Sequence, residues 1–158
     1  MEIKKVAILG AGAVGSYVIE GISGCREIRL GVIAEGERNA RLKSAGCTIN
    51  GVTYHPDVWT SWETDNIDLL IVSLKYGALQ TALDTIKKAT SQNTIVMSLM
   101  NGVDSEEIIG AKIGMSHILP ALIKVASHKE PDGYHFDRKS TIGIIFGEYK
   151  SPFQSERV

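Results

Sequence analysis

The 158-residue sequence lacks a long apolar run, a strong charge of either sign and a cysteine framework. Each absence excludes something. A helix that crosses a bilayer needs about 20 apolar residues, and no stretch approaches that, so no membrane partner is expected. A net charge of −1 offers no basic patch to the phosphates of nucleic acid, so no nucleic acid partner is expected either. Cys25 and Cys47 stand alone, without Cys-x-x-Cys spacing or a disulfide framework, which suits free thiols in a reducing compartment. His55, His117, His128 and His135 have no metal-ligand spacing with one another or with the cysteines, so no metal is expected. Met1-Glu2-Ile3-Lys4-Lys5 runs at once into an apolar segment, so no signal peptide is expected. Together these absences point to a cytoplasmic location.

What the chain does have is a patterned set of glycines behind its first apolar run. Val6-Ala7-Ile8-Leu9 leads into Gly10-Ala11-Gly12-Ala13-Val14-Gly15, and Ser16-Tyr17-Val18-Ile19-Glu20 continues at helical spacing. A buried strand, a glycine turn and a helix in that order are the context that a dinucleotide-binding fingerprint requires. Gly10 turns the chain off the strand, Gly12 lets backbone approach a pyrophosphate, and Gly15 lets the helix lie close on the sheet. Ala11, Ala13 and Val14 complete the loop, and the helix N-terminus offers N–H groups and a positive dipole end to phosphates. Ser16 follows Gly15 but lacks the strand–elbow context of a hydrolase nucleophile.

Further along, strands and helices alternate. After a strand at Lys5 to Leu9 and a helix from about Ala13 to Ser23, Ile28 to Ile33 reads as the second strand. Gly36 to Ala45 is helix-competent, with Gly46 as its C-terminal cap. Asn50-Gly51 between short β-prone runs predicts a hairpin over Thr48 to Tyr54. Trp59 and Trp62 are expected in a loop as packing anchors. Asp68 to Leu74 and Thr94 to Leu99 are near-continuous apolar runs, as parallel strands covered on both faces are. A helix over Gly77 to Ala89 separates them, and Asp104 to Ile109 predicts a short helix with Glu106 and Glu107 in its first turn. His117 to Ile123 reads as an edge or bulged strand because of Pro120, and Tyr134 to Phe136 and Thr141 to Phe146 as two more. This order predicts an α/β fold, a Rossmann-like doubly wound, mostly parallel sheet with flanking helices. Residues 1–148 would form that domain, and 149–158 a linker or tail.

Three polar positions stand out at strand ends. In doubly wound folds an acidic residue about 20 positions past the glycines bonds the adenosine ribose, and that count from Gly15 reaches Glu35. A carboxylate there favours NAD and repels the 2′-phosphate of NADP, whereas Arg38 and Arg41 keep NADP open. Lys75 and Asn101 follow the two buried strands, at the carboxyl ends where open α/β sheets place ligands. Lys75 sets a positive charge beside a substrate carboxylate or the cofactor's phosphates, and the Asn101 amide offers both a donor and an acceptor.

Five segments, in order, resemble the N-terminal half of the ketopantoate reductase (2-dehydropantoate 2-reductase) family. They are Ile8 to Ser16, Gly36-Glu37-Arg38 with Leu42 and Gly46, Asp68 to Lys75, Met100-Asn101-Gly102-Val103 with Glu106-Glu107, and Ile144 to Glu148. The resemblance implies reduction of a 2-oxo acid, ketopantoate, to pantoate by NADP or NAD, a step towards pantothenate. It assigns Lys75 and Asn101 as catalytic and cofactor-binding residues, and Ala126 as a backbone contact to the cofactor after the sixth strand. Two departures from the family pattern are evident. Glu35 stands where the family commonly has an arginine suited to NADP. The helical C-terminal domain that carries the family's general-acid lysine is expected to be absent, and neither Lys124 nor Lys129 lies in a segment resembling it. The chain is therefore expected to bind dinucleotide and to turn over poorly alone, with a homodimer or a partner chain supplying the missing half. Two alternatives stay open, a non-catalytic dinucleotide-binding module and a reductase of another 2-oxo acid.

Overall fold

Four consecutive buried side chains, Val6 to Leu9, make β1 (Lys5–Leu9) the centre of the molecule rather than an edge. In the computed structural model, which describes residues 2–148, 155, 157 and 158, the chain continues through α1 (Ala13–Ile22), β2 (Arg29–Ile33) and α2 (Gly36–Ala45). Next come β3 (Cys47–Ile49), β4 (Val52–Tyr54), β5 (Asp57–Trp59), β6 (Leu69–Val72), α3 (Leu79–Ala89), β7 (Ile95–Ser98) and α4 (Ser105–Ile113). The last elements are β8 (Ala121–Lys124), β9 (Ser127–Glu130), β10 (Gly133–Phe136) and β11 (Gly143–Phe146). The central sheet is parallel throughout, in the order β5-β2-β1-β6-β7. The expected α/β doubly wound sheet with flanking helices is what forms.

Side-chain alternation along the strands divides the core into two layers. Val6, Ile8 and Val32 pack with Val18 and Ile19 of α1 on one face. Ala7, Leu9, Leu70 and Val72 pack with Leu79 and Ile86 of α3 on the other. Each such fully buried Val, Leu or Ile contributes about 1.5–3 kcal/mol over its exposed state. Among the described residues no helix is long and apolar enough to cross a membrane.

Three local readings change. Trp59, expected in a loop, ends the edge strand β5, and its Cα register partner is Ile33. Its ring covers Gly31, where an added Cβ would lie 2.5 Å from ring carbons. A three-residue strand is too short to show a period. The expected strand over His117 to Ile123 is shorter, because a 3₁₀ turn occupies Met115–His117 and Ile118 makes only an isolated bridge to Val96. β8 begins directly after Pro120 and pairs with β11. β9, with the sequence Ser-His-Lys-Glu, has no apolar signature and forms because β10 pairs with it across the register His135–His128.

The Asn50–Gly51 hairpin forms as expected, with φ of 49° and 77° at its two central residues. It joins β10 through β3, giving a second sheet in the order β4-β3-β10-β9. The Asn50 carboxamide spans that joint, as its Oδ1 accepts the Phe136 N–H at 3.0 Å. Most of the expected tail, residues 149–154 and 156, lies outside the described residues. Arg157 forms a bidentate pair with Glu148 at 2.8 and 2.7 Å, and donates to the Ser116 carbonyl at 2.6 Å.

Backbone meets backbone closely at the glycine turn. An added Cβ on Gly15 would sit 2.1 Å from the Gly10 carbonyl oxygen, so α1 rests against the end of β1. Gly10 itself has φ of +110°, and its own Cβ would lie 2.6 Å from the Ser73 carbonyl. The Ser73 hydroxyl closes the arrangement by donating to the Gly10 carbonyl at 2.6 Å.

Gly15→Ala is expected to lower unfolding free energy by about 2–3 kcal/mol through overpacking, measured by urea denaturation. A second expectation concerns acid. The Arg157 guanidinium and the Ser155 hydroxyl hold Glu148 down from its ordinary 4.5 to about 2. A carboxylate depressed on folding stabilises above its unfolded pKa and loses that contribution as pH falls through its folded one. The stability difference between wild type and Glu148→Gln is therefore expected to be constant above about pH 5 and to close between pH 4.5 and about 2.

Candidate functional site

A cleft of about 700 Å³ opens where β1 hands over to α1. Gly10, Ala11 and Gly12 form its floor, Lys75 follows β6 on one side, and Arg38 and Arg41 of α2 stand on another. Lys129 to Tyr134, from the β9–β10 hairpin, close the end beside Cys47 and Thr48 of β3. The second sheet thus acts as a wall for the first sheet's ligand edge. A separate cavity of about 620 Å³ lies between α1, β6, β7 and β11, lined by Tyr17, Ile71, Met97 and Phe146. It holds none of the glycine-loop residues.

The start of α1 is left open. Gly12 precedes the helix with extended backbone, no side chain caps it, and no acidic residue stands in the first turn. The first N–H groups, those of Ala13, Val14 and Gly15, are the helix's unpaired donors. No atom lies within 4 Å of where a Cβ on Gly12 would stand, so the loop presents bare backbone to the cleft. Such a terminus accepts an anionic group without a counter-charge from a side chain.

Cations dominate the walls. Among the described residues Arg38, Arg41, Lys75 and Lys129 have no carboxylate within ion-pair distance. Of the two wall carboxylates, Asp132 is hydrogen-bonded to the His135 ring at 2.9 Å, and Glu130 lies 3.6 Å from the His128 ring. The His135 ring holds the Asp132 carboxyl below its usual range. Burial pushes the Cys47 thiol up, against the opposing pull of Arg38 and Arg41. A half-buried thiol held neutral in this way is a wall, not a nucleophile.

The structure brings together Gly10, Ala11, Gly12 and Lys75, with Ala13, Val14 and Gly15 directly behind them in α1. It does not bring Glu35, Asn101 or Ala126 into the cleft wall. Glu35 is exposed at the start of α2, and its Oε1 accepts the Ser61 N–H at 2.7 Å, tying α2 to the loop after β5. Asn101 is exposed in the turn after β7, ahead of Gly102 with φ of +116°. That turn is joined to the one carrying Lys75, because the Tyr76 hydroxyl donates to Asp104 Oδ2 at 2.5 Å. The same bond raises the Tyr76 hydroxyl above its ordinary pKa. Ala126 is exposed between β8 and β9, its carbonyl accepting the Asp137 N–H at 3.4 Å.

Sequence spacing missed the β9–β10 wall. Lys129 and Tyr134 carry no motif, and only the pairing of β10 with β3 places them here. Among the described residues no group of three or more His, Cys, Asp or Glu could hold a metal ion.

Comparison with known proteins agrees with this architecture. The chain is 23% identical over 158 residues to the uncharacterized oxidoreductase YkpB of Bacillus subtilis, covering 98% of this chain and 52% of that one. It is 32% identical over 108 residues to a 2-dehydropantoate 2-reductase of Pyrococcus horikoshii, covering 66% of this chain and 35% of that one. The chain thus spans about half or less of the length of these relatives. Among solved structures, a 2-dehydropantoate 2-reductase from Geobacter metallireducens superposes with a TM-score of 0.78 at 23% identity, covering 97% of this chain and 52% of that one. Residues 6–151 match the sequence family described as ketopantoate reductase PanE/ApbA, and the chain belongs to that family of oxidoreductases.

Proposed function

We propose that this chain binds a nicotinamide dinucleotide along the cleft, prefers NADPH, and serves as the cofactor half of a reductase for a 2-oxo acid of the ketopantoate type. The observation that carries this reading is the uncapped start of α1, with bare backbone at Gly12, in a cleft whose four wall cations, Arg38, Arg41, Lys75 and Lys129, have no carboxylate partner among the described residues. The residues present fit the group. A pyrophosphate takes the N–H groups of Ala13 and Val14 at the positive end of α1. A 2′-phosphate takes Arg38, Arg41 or Lys129, whose donors suit phosphate oxygens.

Glu35 expected as a ribose ligand is reassigned in this reading. Its carboxylate is engaged at Ser61, and the cations of the wall select the extra phosphate in its place. The bound nicotinamide supplies hydride to the ketone carbon. On the protein side, Lys75 lies at the end of the cleft nearest the β6 edge, where its ammonium neutralises a substrate carboxylate or ribose oxygen. Asn101 orients the reacting ends from the neighbouring turn, which the Tyr76–Asp104 bond holds beside Lys75. The family resemblance assigns a backbone contact to Ala126, which lies between β8 and β9 outside the cleft wall. The proton for the developing alkoxide is assigned, by the family resemblance, to a lysine of a second, helical half.

Fluorescence titration with NADPH and NADH tests the cofactor reading. NADPH is expected to bind at least about 10-fold more tightly, the value of one hydrogen bond to a charged group. Arg38→Ala together with Arg41→Ala should remove that preference with NADH affinity kept; equal binding of both cofactors by wild type would overturn it. Gly12→Val is expected to fold normally, since its side chain points into open space, yet to lose binding of both cofactors.

A further inference from the structure

Ser16 stands one helical turn below Gly12 on α1 and is 1% exposed. Its Oγ has no hydrogen-bond partner among the described residues, and the residue forms part of the cleft wall. Two hydroxyls just past helix ends, Ser23 after α1 and Thr90 after α3, bond back to the carbonyl four residues earlier. Ser23 does so to Ile19 at 2.5 Å, and Thr90 to Ile86 at 2.7 Å. Buried hydroxyls in the sheet are also satisfied, Thr94 by the Ile67 carbonyl at 2.7 Å and Ser98 by Ser105 at 2.8 Å. At Ser16 the corresponding carbonyl, that of Gly12, receives the Ser16 N–H at 2.8 Å and not the hydroxyl. The other orphaned hydroxyl, on Ser127 of β9, is not part of the cleft wall.

A buried hydroxyl without a partner is costly, and one that borders a ligand cleft is satisfied by what binds there. We infer that the Ser16 hydroxyl is a positioning group for the dinucleotide, donating to a phosphate or ribose oxygen of its adenosine half. The side of the ligand follows from the neighbours, because Ser16 shares its wall with Arg38, Leu42 and Cys47. Residues i and i+4 share a helix face, so the hydroxyl lies beneath the loop that receives the pyrophosphate. The inference rests on the reading that the cleft holds a dinucleotide, and it adds a contact that the glycine loop's backbone does not make.

The physical signature is an asymmetry between the free and bound protein. Removing an unsatisfied hydroxyl leaves the free protein as stable as before or more so, while removing a satisfied one weakens the complex. Ser16→Ala is therefore expected to keep or raise the melting temperature without ligand, and to weaken both NADPH binding and ADP competition by roughly 10-fold. Wild-type affinity in Ser16→Ala would overturn the inference. So would a lowered melting temperature with affinity unchanged, the mark of a purely structural serine. Loss of NADPH affinity with ADP affinity retained would overturn the assignment to the adenosine half. Failure of the wild-type chain to bind either probe would instead overturn the dinucleotide reading itself.

Discussion

The rest of the structure depends on one close approach of backbone to backbone. The carbonyl of Gly10 lies where a Cβ of Gly15 would have to be, and the Ser73 hydroxyl holds that carbonyl from β6. Three segments meet there, the end of β1, the first turn of α1 and the end of β6. Because they touch without side chains between them, α1 sits low on the sheet and its N-terminus points over the sheet's carboxyl edge. A raised helix would carry its unpaired N–H groups away from the cleft. The same contact joins the glycine loop to the turn that carries Lys75, so the uncapped start of α1 and the Lys75 cation belong to one corner of the fold.

From that corner the electrostatics follow. Helix α1 brings a positive dipole end, α2 brings Arg38 and Arg41, and β9 brings Lys129, while the Asp132 carboxylate is bonded to His135 and that of Glu35 to the Ser61 N–H. An anionic ligand with phosphates at more than one point suits this field better than a neutral one. The apolar cavity on the far side of α1 has no comparable set of charges. The two cavities thus differ in chemistry although they are similar in size.

Much of the fold was legible because its causes are local. Continuous apolar runs at Leu69–Val72 and Ile95–Ser98 announce strands buried on both faces, and Asn50-Gly51 announces a turn whose dihedrals those residues favour. Short pieces were not legible. Trp59 gained its strand from a neighbour, β2, and Ser127–Glu130 gained theirs from β10; neither segment has a period long enough to read. The candidate site divides in the same way. The glycine loop and Lys75 stand in one cleft as their positions after β1 and β6 implied, whereas counting along the chain carried Glu35 to a place where Ser61 engages it.

By itself, then, the sequence determined the strand–turn–helix at Gly10 to Gly15, the parallel order of buried strands and the resemblance that led to the family. These rest on dihedral freedom and burial pattern within a few residues of one another. Only the tertiary structure decided which charges share the cleft, and that Ser16 borders it with an unsatisfied hydroxyl. Lys129 shares the cleft with the glycine loop because β10 pairs with β3, a joint that Asn50 spans to Phe136 across 86 positions. No local preference of either segment encodes such a meeting. It is set by the register in which two sheets pack around α1.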